Sequence, residues 1–396
     1  MMSEWKKVSV SDLGRIVTGK TPKTAIPEYY GGCIPFLTPS DDMSVKYVLS
    51  TSKTITEDGK NSVKNAVIPK NSICVSCIGS DLGKVVITTK ETVTNQQINS
   101  VIVNTELYDV DFVYYAMVIL GKVLNYHSKT STAVPIVNKS TFSQYEILCP
   151  ELSEQRKIAR ILSEIDSKIA VNTAINENLE QQAQAYFVDL FITNADPNWR
   201  IGTISDLGNV VGGGTPSKKI EEYYTSDGIA WITPKDLSND KSKFVAHGET
   251  DITELGLAKS SATLMPKGAV LFSSRAPIGY IAIADGQVCT NQGFKSIVPF
   301  DNAGTAFVYY FLKENLSAIE NVASGSTFKE VSGSTMKNFT AIIPDNDTLA
   351  EFQRFCSPLF EQQRALEYEN RYLASIRDTL LPKLMNGEID VSAVRI

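Results

Sequence analysis

The sequence predicts an α+β fold: two similar strand-rich domains joined by two long helices that pack as an antiparallel coiled coil with pseudo-twofold symmetry. Three features of the 396-residue chain lead there. One stretch of sequence recurs at a steady offset, each copy is patterned for strands, and each copy closes on a heptad seam.

The repeat is read directly from the letters. "WKKVSVSDLGRIVTGKTP" from Trp5 aligns with "WRIGTISDLGNVVGGGTP" from Trp199, an offset of 194 residues. "TNQQINSVIV" pairs with "TNQGFKSIVP", and "FVYY" occurs at 112 and 307. "STFSQYEILCP" pairs with "STMKNFTAIIP", again 194 residues apart. Units of this size are whole domains with helical tails, so the chain reads as a tandem duplication. The alternation in "KKVSVSDL" and the β-branched runs "VVITT" and "NSVIV" predict strands. "DFVYYAMVILGKVLNY" predicts one helix within the first copy. The expected division is residues 1–150 and 197–346 for the two domains, with 151–196 and 347–396 for the helices and tail.

After Pro150 the period becomes seven. Ile158, Ile165, Asn172, Leu179 and Tyr186 form one row, with Leu162, Ile169, Asn176, Ala183 and Leu190 four positions on. A helix from Glu151 to Phe191 would span roughly 60 Å. Phe352, Leu359, Leu366, Leu373 and Leu380 repeat the row in the same phase, with Pro358 expected at a kink or near the helix start. Asn370 occupies the position of Asn176 in the second copy, so the two are expected to face each other and fix the register.

Composition narrows the function classes. With 43% hydrophobic and 21% charged residues the chain fits a soluble globular protein. No apolar run reaches membrane-spanning length, and "MMSEWKKVSV" lacks the apolar core of a signal peptide, so a cytoplasmic location without membrane contact is expected. A net charge of −6 argues against a free-standing nucleic-acid binder and leaves room for one that borrows positive field from a partner. Cys74 and Cys77 form a lone C-x-x-C with no second pair, which favours a buried strand over a metal or redox site. No metal site and no catalytic residue is expected.

Two enzyme patterns can be drawn on the sequence, and each fails in the second copy. Gly14-x-x-x-x-Gly19-Lys20-Thr21 satisfies the phosphate-loop pattern of a nucleotide hydrolase. Its twin, Gly208 to Thr215, has Gly214 where the lysine should be, and Pro22 and Pro27 prevent the helix such a loop must open. A D-x-K nuclease triad can be drawn from Asp41, Asp58 and Lys60, but Leu255 and Leu257 replace the last two in the second copy.

The doubled "W…LG…TP…EYY…TP" opening, the "STxxxF…P" before each helix, "EQRKIARIL" and the closing "LLPKLMNGEI" together resemble the specificity subunit of type I restriction-modification enzymes. The resemblance spans the whole chain, apart from "GKTP" in the first copy where Gly-Gly-Thr-Pro is usual. It implies a non-catalytic subunit with two target-recognition domains, binding double-stranded DNA at an asymmetric bipartite gapped site. It also implies assembly with two methyltransferase subunits and with restriction subunits, which would carry S-adenosylmethionine, ATP and Mg; none is expected on this chain. Two heads related by an axis suit half-sites about one helical turn apart. The alternative is a structural scaffold that assembles partners without reading bases.

Base readout needs side chains on loops that enter a groove. In the turns "GSDLGK" and "SSRAPIG" the candidates are Ser80, Asp81, Lys84, Ser274 and Arg275. "NQQ" and "NQG" add Asn95, Gln96, Gln97, Asn291 and Gln292, with Lys295 nearby; local turn bonding is the competing role for these amides. Phosphate contacts are expected from "GKTPKT" and "GGTPSKK", through Lys20, Lys23, Lys218 and Lys219, and from "SGSTFKE", through Ser326 and Lys329; Thr21 and Thr215 of the same loops are further DNA-binding candidates.

Overall fold

The structure, a computed structural model, describes residues 5–79, 82–129, 136–325 and 329–394. Ser80, Asp81 and Ser326 lie outside the described residues. The chain divides into two compact units, Met1–Ala170 with Arg371–Ile396, and Val171–Asn370.

In the first unit a five-stranded sheet runs in the order Gly14–Thr18, Ile98–Val103, Ile73–Ser76, Val85–Thr88, Tyr47–Val48. Its central strands are buried throughout, as their β-branched runs require. Helix Val110–Lys129 covers one face, burying Phe112, Val113, Tyr115 and Met117 against Ile73, Val75, Val85 and Val101. Ile158 and Leu162 of the first long helix join that core, as do Leu381, Leu384 and Met385 of the second. A two-stranded ribbon pairs Lys6–Ser9 with Glu146–Cys149.

The second unit repeats the plan. Its five strands run Gly208–Gly212, Lys295–Pro299, Val270–Ser274, Ile278–Ala284, Phe244–Val245, the same order. The last strand is parallel to its neighbour in both sheets. The ribbon pair Lys6↔Cys149 returns as Arg200↔Ile343, each residue displaced by 194. Aromatic rings dominate this core: Phe187, Phe191, Phe307, Tyr310 and Phe352 are buried together, with Phe191 and Phe352 edge-to-face at 5.2 Å.

The long helices are Leu152–Val188, 37 residues, and Asn346–Met385, 40 residues. The second starts well before Pro358 and continues through it, with the proline ring on an exposed position. Within each unit the two helical segments run antiparallel. In the first, Asp166 meets Arg377 at 2.9 Å and Lys157 reaches the Ser392 carbonyl at 2.7 Å. In the second, the Asn172 amide donates to Asn370 Oδ1 at 2.9 Å, and Tyr186 donates to Glu351 at 2.5 Å.

The expected facing of Asn176 and Asn370 is corrected here. Asn370 meets Asn172, one helical turn earlier, and also donates to Thr173 Oγ1 at 3.3 Å. Buried Gln363 occupies the level of Asn176, donating to its backbone carbonyl at 3.1 Å. A polar contact at the seam survives, shifted by the glutamine that fills the neighbouring layer.

Candidate nucleic-acid interface

Each head presents two loops pressed together by the backbone. In the first head the strand Gly14–Thr18 ends at Gly19, whose amide donates to Ile98 O at 3.0 Å. The Lys20 amide donates to Thr94 O at 2.8 Å. A Cβ on Gly19 would stand 2.0 Å from the Asn95 carbonyl oxygen, so only glycine allows this approach. The second head repeats it: the Gly214 amide donates to Thr290 O at 2.8 Å, and a Cβ on Gly213 would lie 1.8 Å from Asn291 O. The phosphate-loop match is thus a strand running into a turn, followed only by the short helix Pro27–Tyr29.

The departure "GKTP" also has a local cause. A Cβ on Gly214 would meet the Ala262 amide nitrogen at 2.3 Å. Lys20 in the first head is exposed and meets no such wall.

The asparagines serve the turns. Asn95 Oδ1 accepts from the Gln97 amide at 3.1 Å, and Asn95 Nδ2 donates to Gln97 Oε1 at 2.9 Å. Asn291 Oδ1 accepts from the Gly293 amide at 2.8 Å. Gln96 and Gln292 are exposed, and each accepts a threonine hydroxyl from the facing loop: Thr21 to Gln96 Oε1 at 2.7 Å, and Thr215 to Gln292 Oε1.

Below the loops a second repeated device fixes the floor. Asp41 Oδ2 accepts from the Thr38 amide at 2.8 Å, and Asp236 Oδ2 from the Thr233 amide at 2.7 Å. Their other oxygens accept from the amides of Ser52 and Glu249. Asp41 is therefore engaged as a turn cap, and Lys60 pairs with Glu57 at 2.7 Å and Glu91 at 2.9 Å, which leaves the nuclease sketch without its metal-binding acid or its free lysine. Trp231 donates through Nε1 to Gly214 O at 2.9 Å and props the second head's loop, a role its sequence position does not advertise.

In the second head a cleft of about 510 Å³ gathers Thr215, Lys218, Arg275, Asn291 and Gln292. Arg275 stands in the turn between strands Val270–Ser274 and Ile278–Ala284, followed by the cis Ala276–Pro277 bond. Glu330 bridges Arg275 at 3.5 Å and Lys295 at 3.3 Å, a contact the sequence reading missed because Glu330 is distant in the chain. Lys235, paired with Glu249 at 2.6 Å, lines the same cleft and was also missed. Ser274 is buried, its hydroxyl on Gly293 O at 3.1 Å, and does not reach the cleft.

The remaining candidates are dispersed. Lys23, Lys219 and Lys329 are exposed. Lys84 lines a separate groove of the first unit, beside Lys122, Asp166 and Arg377. Cys74 and Cys77 are buried in different clusters of the first unit, and burial pushes their thiols up to about 12 and about 11. Among the described residues no group of His, Cys, Asp and Glu is arranged to hold a metal, and no helix is long and apolar enough to cross a membrane.

Each head is also anchored to its helices by a buried lysine. Lys46 Nζ contacts Asp111 at 2.9 Å, Ser163 Oγ at 3.0 Å and the Tyr115 hydroxyl at 3.2 Å. Lys243 Nζ contacts Glu180 at 2.6 Å, Gln363 at 2.9 Å and the Tyr310 hydroxyl at 3.1 Å. Burial pulls the Lys243 ammonium down to about 8 against the attraction of Glu180. Burial would raise the Glu180 carboxyl, but Lys243 and Lys313 overcome it and hold it at about 2.

The two heads thus repeat one arrangement of paired loops with an exposed glutamine amide, and the second head adds a cleft lined by Lys218, Lys235 and Arg275 together with Asp236 and Glu249. A family model described as type I restriction modification DNA specificity domain matches residues 2–181 and 197–367, one match per copy. The chain is similar to the type I restriction enzyme MjaIX specificity subunit of Methanocaldococcus jannaschii, 43% identical over 153 residues, covering 38% of this chain and 35% of that one. It is 24% identical to the HindI specificity subunit of Haemophilus influenzae, covering 98% of this chain and 100% of that one. The crystal structure of the S subunit of a type I restriction-modification system from M. genitalium shares the fold, with a TM-score of 0.57 at 16% identity over 97% of this chain and 96% of that one. The chain belongs to the type I restriction-modification specificity family, and it is a DNA sequence-recognition subunit of such a system.

Proposed function

We propose that each head of this chain reads one half of an asymmetric, gapped DNA site, and that the chain itself catalyses nothing. The observation that carries the reading is one scaffold bearing two different turns: Arg275 enters the cleft of the second head, where the first head has the sequence "GSDLGK". Equal scaffolds with unequal reading turns give unequal half-sites. Residues 1–150 and 197–346 are the recognition domains, and residues 151–196 and 347–396 supply the spacer and the docking surface.

The partners are double-stranded DNA, two methyltransferase subunits and restriction subunits, assembled in the cytoplasm. S-adenosylmethionine, ATP and Mg act on those subunits. The net charge of −6 fits a reader that relies on partner subunits for much of its positive field. Mapping methylated motifs in host DNA with and without the chain tests the proposal. Loss of one bipartite motif is expected, and exchanging residues 1–150 should alter one half of it. Equal binding of the purified complex to random and sequence-defined DNA would instead leave only the scaffold role.

A further inference from the structure

Gln96 and Gln292 take the same posture in two heads whose other reading residues differ. Both are exposed, and both accept a hydroxyl hydrogen bond through Oε1 from the threonine of the facing loop. We infer that Thr21–Gln96 and Thr215–Gln292 are matched clamps for a DNA phosphate, alike in both heads and carrying no base information. The inference rests on the DNA-reading role proposed above, and it moves these glutamines from base readout to backbone binding.

The chemistry comes first. A glutamine that reads adenine must offer its carbonyl and its amide side by side, one accepting and one donating. Here the carbonyl oxygen already spends one lone pair on the Thr21 or Thr215 hydroxyl, while the Nε2 amide keeps its two donors. Those donors complement an acceptor-only partner. Phosphate oxygens are the acceptors that recur at every step of the duplex, whatever the bases.

The duplication gives the second reason. A contact built identically in both heads cannot distinguish two half-sites that differ. It suits a feature common to both half-sites, and the phosphate backbone is common to every step of the duplex.

The surroundings agree. Asn95 and Gln97 bond each other, and Asn291 holds the Gly293 amide, so within each turn one glutamine is left facing the other loop. The loops carrying Thr21 and Thr215 also carry exposed Lys20, Lys23, Lys218 and Lys219. Gly19 and Gly213 press those loops onto the Asn95 and Asn291 carbonyls, so the backbone rather than two mobile side chains sets the threonine–glutamine separation. The clamp is prepared before DNA arrives.

The test uses the full chain assembled with its methyltransferase subunits and three duplexes: the mapped site, the site with its second half altered, and a random sequence. Gln292→Glu keeps the shape and replaces the donor by an acceptor. It should weaken binding to all three duplexes by one common factor, about tenfold or more, with the methylated motif unchanged. Gln292→Ala should lower affinity without changing the salt slope, because a neutral donor releases no counterion. Gln96→Glu should behave in the same way. Methylphosphonate placed at single positions should reveal one phosphate whose loss costs wild type but not Gln292→Glu. A changed base preference at any position of the second half-site overturns the clamp, and so does unchanged affinity for every duplex. A wild-type complex with no sequence preference overturns the reading role, whereas a uniform loss in Gln292→Glu would still support the clamp.

Discussion

Lys243 and Glu180 form a 2.6 Å ion pair in which the lysine is almost wholly buried, and Tyr310 and Gln363 complete its hydrogen bonds. Tyr309, Tyr310 and Phe360 surround the ammonium with ring faces, the closest centroid at 3.8 Å. The pair joins the strand edge of the second head to both long helices. Lys243→Met should therefore destabilise the second unit by about 3 kcal/mol, because it leaves Glu180 with Lys313 as its remaining cation. Urea denaturation of the variant against wild type measures it.

The same pair sets a pH dependence. The Glu180 carboxyl sits at about 2 in the folded chain, below its ordinary 4.5. Its contribution is therefore complete above about pH 4.5 and is lost as pH falls towards 2, roughly 3 kcal/mol in all. Glu180→Gln should flatten that part of the acid unfolding profile. If both proteins unfold in parallel between pH 4.5 and 2, the assignment fails.

Arg275 differs from the matched glutamines in having no counterpart in the first head's turn. Arg275→Ala should relax discrimination at a single base pair of the second half-site by about 1–3 kcal/mol. Sequencing of methylated motifs checks this. Glu330→Gln should give a weaker version of the same phenotype, since Glu330 holds the guanidinium at 3.5 Å.

Lysines on the loops act through charge alone. Lys218→Ala, and separately Lys20→Ala, should weaken binding equally for all sequences and lower the salt slope by about 0.9 each. An unchanged slope for Lys20→Ala removes that residue from the interface.

The unequal glycines of the two loops predict unequal tolerance. Lys20→Gly should change stability by less than about 0.5 kcal/mol. Gly214→Lys forces a side chain into the Ser261–Ala262 backbone and should lower the melting temperature of the second unit by several degrees. Calorimetry of the two variants compares them directly.

Much of this architecture was legible in the letters. The 194-residue offset reappears in the ribbon pairs Lys6↔Cys149 and Arg200↔Ile343, because a duplicated sequence carries its registers with it. The heptad rows foretold helices of 37 and 40 residues. What escaped was the layer-by-layer match between them. Heptad phase gives Asn176 and Asn370 the same place in their own helices, but it does not say which layer each meets across the seam. Gln363, seven residues before Asn370 in the same row, is the residue that meets Asn176.

The site was less legible for a similar reason. Type and loop position singled out Arg275, Lys218 and Gln292, which the fold gathers around one cleft. They could not separate an amide engaged in its own turn, such as Asn291, from one turned outward. Nor could they show that Ser274 ends a buried strand. Glu330 and Trp231 act through contacts far along the chain, and one sequence carries no trace of such pairings.

Each long helix is divided between the two units: residues 152–170 and 371–385 serve the first, and 171–188 and 346–370 the second. This imposes an order on synthesis. The second unit is one continuous stretch, complete once residue 370 has left the ribosome. The first begins at once, yet Leu381, Leu384, Met385 and Val391 are missing from its core until the segment after residue 370 is made. The head translated earlier is the one finished later, because the last side chains to join its core are the last to be made.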